Sequence, residues 1–256
     1  MAGASGPNIN EVGLILTVDA ADKNSYIGSG TTWSDLSGNS NNFTISNAPT
    51  YANNFFTLNG TTQFFSITTT TGFFTYVTNN FYADVGYAWS VSVWFKFPVL
   101  PTSVRDATIN AGNCSYSIFG DGGGIGGGET LTLFVSGISG TSAGYQPYYC
   151  VVGLRGAKTQ LSINSVNTNT WNNVVVTWNG SAGNGYFNGV DRGVLNNNVG
   201  AAMQTGYAPT IGATAGGLSS HLFEGSISQT LVYSRAISAV EVLQNYNATK
   251  TRFGII

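Results

Sequence analysis

The sequence predicts an all-β protein, a sandwich or barrel of short antiparallel strands, and three observations support this. Short runs rich in Val, Ile, Phe, Thr and Tyr recur between Gly, Asn and Ser turns along most of the chain. The two clearest of these runs alternate with the two-residue period of a half-buried strand. Only one segment, near the C-terminus, carries helical spacing.

Residues 1–10 hold no charge and one sizeable apolar side chain, Ile9, so they read as a flexible N-terminal arm. Residues 11–256 contain no charge run, Pro-rich linker or compositional break and read as a single domain. The clearest strand runs from Trp89 to Phe97. Trp89, Val91, Val93, Phe95 and Phe97 share one face, Ser90, Ser92 and Lys96 share the other, and Pro98 closes it. Trp94 breaks the alternation by falling on the Ser/Lys face.

A second strand, Asn173 to Trp178, groups Val174, Val176 and Trp178. It leads through Asn179-Gly180 to Gly185-Tyr186-Phe187, and Asn188-Gly189 follows. That dipeptide is favoured in type I′ hairpin turns, where both residues need positive φ, so a β-meander is expected. The Gly-rich stretch from Gly120 to Glu129 reads as a wide loop between strands. Ser238-Ala239-Val240-Glu241 is a capping box, and Val240, Leu243 and Tyr246 continue it as one short helix.

Composition narrows the function. A chain of 256 residues buries a sizeable core without disulfide staples. Charged residues are 8%, against about 25% in an ordinary soluble protein, so solubility rests on Asn, Ser, Thr and Gly. Such a surface suits a protein packed into an assembly or exposed to harsh surroundings. The net charge is −2 and the nine Lys and Arg are scattered, which argues against a nucleic-acid partner. No apolar run reaches the roughly 18 residues of a membrane span, so no membrane insertion is expected. Residues 1–7 lack the charged and apolar regions of a secretory signal. Cys114 and Cys150 match no zinc spacing, and both a disulfide and two buried thiols stay open.

Candidate sites follow from residue chemistry. Glycoside hydrolysis needs two carboxylates held a few ångströms apart, and Glu11, Glu129, Glu224 and Glu241 are each isolated. The only histidine, His221, reads as a loop residue and not a general base, so no enzyme is expected. Asp121 and Glu129 bracket the Gly-rich loop and are calcium candidates, but a plain hairpin connection is the preferred reading, with no metal or cofactor. A sugar ring stacks its C–H face on an exposed aromatic ring. Trp33, Trp94, Tyr145, Tyr148 and Tyr149 are therefore the candidates for glycan or partner contact, with subunit contact preferred for the three tyrosines.

Several motifs, in order, resemble the laminin-G-like branch of the concanavalin A-like lectin/glucanase superfamily, as found in bacteriophage virion proteins. They are Gly13 to Asp22 with Gly30 to Asn39, Leu58-Asn59-Gly60, Trp89 to Phe97, Trp171 to Gly180, Tyr186 to Val190, and Phe223 to Ser238. The tail, Glu241 to Lys250, is similar to the closing helix of phage virion proteins with this domain. The resemblance implies a two-sheet antiparallel jelly-roll sandwich. It does not carry over the acidic pair usual after the Ile of the last strand, because Ser228 and Gln229 stand there. The function it implies is a virion structural protein of a bacteriophage, a capsid decoration or a tail or fibre component. Other virion proteins, copies of itself and cell-surface glycan are the partners expected, with assembly in the host cytoplasm. A lectin or adhesin module is the alternative, and a glycoside hydrolase a distant one.

Overall fold

The computed structural model describes residues 9–67, 88–98, 115–120, 131–136, 150–154, 157–160, 166–195, 209–213 and 222–256. The chain begins with β1 (Leu14–Asp19), β2 (Thr32–Trp33), β3 (Phe43–Ser46), β4 (Thr50–Ala52), β5 (Phe55–Asn59) and β6 (Phe64–Ile67). It continues with β7 (Ala88–Lys96), β8 (Ser115–Gly120), β9 (Leu131–Ser136), β10 (Cys150–Leu154) and β11 (Ala157–Gln160). Then come β12 (Asn172–Asn179), β13 (Gly183–Phe187), β14 (Val190–Leu195), β15 (Thr210–Ile211) and β16 (Glu224–Tyr233). Helix α1 (Ala239–Thr249) and a 3-10 turn, Lys250–Phe253, complete it.

These strands form the expected two antiparallel sheets. The first runs β14-β13-β12-β7-β16-β5-β4, with β1 also paired to β16, and the second runs β11-β10-β9-β8-β15-β6-β3-β2. Alternation decides what lies between them. Val91, Val93 and Phe95 of β7, Val174 and Val176 of β12, and Ile227 and Val232 of β16 are fully buried against Phe43, Phe65, Ile118 and Leu133 of the second sheet. Each such side chain contributes about 1.5–3 kcal/mol by leaving water. Pairing sets Val174 opposite Val93 and Val176 opposite Val91, so both valine faces point the same way. The Asn188-Gly189 turn follows β13 as expected, with φ of 50° and 76°.

The outer face of the first sheet is covered too. Ser238 caps α1 with the reciprocal Glu241 contact read from the sequence. Val242 of the helix then joins Val175, Tyr186, Leu231 and Tyr233 in a second apolar cluster. Ile9 belongs to that cluster at 7% exposure, and the Asn10 amide N–H donates to Asn245 Oδ1 at 2.9 Å. Residues 9 and 10, read from the sequence as the end of a flexible arm, are therefore fastened to the domain. Residues 1–8 of that arm lie outside the described residues.

One edge of β16 is shared by two strands. β5 pairs with its first half, Glu224 to Ile227, and β1 with its second, Gln229 to Tyr233. The extra residue of a β-bulge opposite β7, Ser228, sits at the handover. There the Ala20 N–H donates to the Ser228 carbonyl at 2.8 Å, and the Ser228 hydroxyl donates to the Asn54 carbonyl at 3.2 Å.

Candidate functional site

The handover opens a small pocket of about 100 Å³ on the outer face of the first sheet, lined by Ala21, Asn53, Asn54, Phe55, Trp171, Ser228, Arg252 and Phe253. Each contributor is placed by a local device. Asn53 and Asn54 form the two-residue turn between β4 and β5, both with positive φ (52° and 65°), a conformation asparagine tolerates. Trp171 precedes β12 and falls on the outer face by the strand's parity with Asn173 and Val175. The 3-10 turn after α1 brings in Arg252 and Phe253.

Rings form the floor and wall. Phe253 packs on Trp171 with centroids 4.7 Å apart, and Phe55 meets Trp171 edge-on at 5.3 Å. Behind them Trp94 stacks on Phe253 at 4.2 Å and on Tyr246 at 5.5 Å, and its indole N–H donates to Thr249 Oγ1 at 3.1 Å. Trp94 thus anchors the helix and its turn to the sheet. The Lys96 ammonium lies 5.0 Å from the Phe55 centroid and 5.4 Å from that of Trp171, within cation–π range of both.

The polar side centres on Asp19, whose side chain is 3% exposed. Its Oδ2 accepts from Arg252 Nη1 at 2.7 Å and from Gln229 Nε2 at 2.9 Å, and its Oδ1 accepts the Ala21 N–H at 2.9 Å. The carboxylate is committed to holding Arg252 beside the pocket. The guanidinium in turn lies 4.8 Å from the Phe253 centroid. Partly exposed rings, turn amides and a fixed guanidinium in one depression suit a polar ligand with an apolar face.

Two aromatic candidates from the sequence are corrected here. Trp33 is fully buried between the sheets against Phe56 and Phe65. A two-residue strand displays no alternation from which its inward direction could be read. Trp94 does point away from the inter-sheet core, but α1 and the 3-10 turn cover it and leave 2% exposed. Neither tryptophan offers a ring to solvent. Tyr145, Tyr148, Tyr149, Asp121, Glu129, His221 and Cys114 lie outside the described residues. Among the described residues, no group of His, Cys, Asp and Glu is arranged to hold a metal ion.

The sequence reading missed Trp171, Phe55, Phe253 and Arg252 as site residues. A signal existed for Trp171, which shares the outward parity of Val175. Nothing local shows that residues 53–55 and 252–253 meet it.

The family model of the concanavalin A-like lectin/glucanases superfamily matches residues 71–243. Among solved structures, Trypanosoma rangeli sialidase is similar with a TM-score of 0.61 and 14% identity, over 94% of this chain and 33% of that chain. This chain thus spans about a third of the sialidase's length. Domain 4 of AbnA, a GH43 extracellular arabinanase from Geobacillus stearothermophilus in complex with arabinotriose, is matched across its full length. There the TM-score is 0.61 and the identity 15%, over 93% of this chain. The binding domain of botulinum neurotoxin DC, in complex with rat synaptotagmin II, gives 0.60 and 12%, over 92% of this chain and 51% of that one. At such identities the likeness is one of fold. No curated protein sequence matches the chain.

Proposed function

The chain belongs to the concanavalin A-like lectin/glucanase superfamily, and from that premise we propose that it is a non-enzymatic carbohydrate-binding module serving as a structural component of a bacteriophage virion. One observation carries the binding half: the pocket in which Trp171, Phe55 and Phe253 present ring surface beside Arg252 and the Asn53-Asn54 turn. Ring faces take the C–H side of a pyranose or furanose, while amides and a guanidinium take its hydroxyls. The arabinanase domain of the same fold, solved with arabinotriose, lends support. A binding role also fits the commitment of Asp19 to Arg252, Gln229 and Ala21, which keeps that carboxylate from free acid–base work.

The virion half rests on the resemblance of both chain ends to phage structural proteins and on the 8% charge, suited to close packing in a particle. A glycan array with the full chain and Trp171→Ala tests the first half. Binding by the parent, reduced about tenfold or more in the variant, is expected, and a blank array for the parent overturns it. Mass spectrometry of purified particles tests the second half, where many copies per virion are expected and absence overturns it.

A further inference from the structure

Resting on the carbohydrate reading above, we infer that the pocket at the β1/β5 handover selects an acidic saccharide, one whose carboxylate lies between Lys96 and Arg252 while a sugar face rests on Trp171. The chain spends only nine Lys and Arg over 256 residues, and two of them flank this one depression. The pairing is chemically directed. Lys96 sits over Phe55 and Trp171, and among the described residues it forms no ion pair, so no carboxylate of those residues neutralises it. Arg252 gives one nitrogen, Nη1, to Asp19, and its fork has other donors that can turn to a ligand.

Charge bookkeeping at the pocket is simple. Lys96 and Arg252 supply two positive charges and Asp19 one negative, leaving a net positive charge beside apolar rings. Asp22 and Lys23, the charged residues that follow lining residue Ala21 along the chain, carry opposite charges and leave that balance unchanged. A neutral sugar would leave the Lys96 charge uncompensated in a partly desolvated site. A carboxylate compensates it through charge-assisted hydrogen bonds. The rings and Asn53-Asn54 then serve the rest of the ring, so charge selects the sugar class and stacking supplies orientation.

The test titrates the full chain with trigalacturonate and 3′-sialyllactose as acidic probes and with maltotriose and lactose as neutral ones, reading heat and tryptophan fluorescence. Acidic probes are expected to bind about tenfold tighter or better, with affinity falling as salt rises from 0.05 to 0.5 M. Lys96→Gln should reduce that preference about five- to tenfold while leaving the melting curve in place. Arg252→Gln is the weaker probe, because it also strands the buried Asp19 carboxylate, and Arg252→Lys with a melting curve covers that risk. Equal binding of acidic and neutral probes, or a preference unchanged in Lys96→Gln, overturns acid selection but leaves the carbohydrate reading standing. No binding to any probe overturns both.

Discussion

Glu241 shows how much one side chain does at the junction of the chain's ends. Its Oε1 accepts from Arg235 Nη2 at 2.7 Å and from Asn10 Nδ2 at 2.6 Å, and its Oε2 accepts from Arg235 Nη1 and the Ser238 N–H. The Arg235 hydrogen bonds, helped by Ser238 and opposed by partial burial, hold its carboxyl at about 2, below the ordinary 4.5. A carboxyl whose folded pKa is depressed stabilises the fold fully above its unfolded pKa and loses that stabilisation as pH falls. The expected outcome is a stability decline between about pH 4.5 and 2 that is shallower in Glu241→Gln, checked by urea midpoints across that range. Equal slopes for the two proteins would show that Glu241 is not the group responsible.

At the scale of elements, crowding around β16 is most acute at Gly225. Its φ is 151°, and a methyl group there would run into the Lys96 carbonyl and sit 2.9 Å from the Phe223 ring. Gly225→Ala should lower stability by about 2–4 kcal/mol through strain and overpacking, and it should perturb Lys96, read as a drop in denaturant midpoint together with weakened ligand binding. Trp89→Ala, which empties a site between the sheets, should cost about 3–5 kcal/mol by the same measurement. An unchanged midpoint in either variant would contradict the register described for β7.

The elements that were legible in the sequence are those fixed within about ten residues. β7 and β12 follow from alternation, the Asn188-Gly189 turn from its need for positive φ, and α1 from its capping box. The pocket was not legible, because residues 53–55, 171 and 252–253 are joined only by the handover at Ser228 and by the stack behind Trp94. Trp94 marks the boundary between the two cases. Its direction followed from parity, but its burial depended on a helix more than a hundred residues further along the chain.

For the whole molecule, the first sheet is packed on both faces, by the second sheet on one side and by α1 and the N-terminal segment on the other. Ile9 lies in the helix-side cluster, and the Tyr233 hydroxyl donates to the Asn10 carbonyl at 2.9 Å. Deleting residues 2–8, which contain no charge and no large apolar side chain, should leave the melting temperature nearly unchanged. Extending the deletion through Asn10 should remove about 2–3 kcal/mol, roughly 5–10 °C for a domain of this size. Scanning calorimetry separates the outcomes, and identical melting of the two deletions would show that Ile9 and Asn10 contribute nothing.

The shared edge of β16 also sets a timetable. Gln229 pairs with Asp19, 210 positions earlier, and the same strand is the neighbour of β5 and β7. A ribosome delivers β1, β5 and β7 long before the strand that unites them. Until residues 224–233 emerge, those three strands have open edges and apolar faces with no central partner. The nascent chain is therefore open to pairing with its neighbours on the polysome until then, and β1, β5 and β7 are joined in the first sheet only once residues 224–233 have been made.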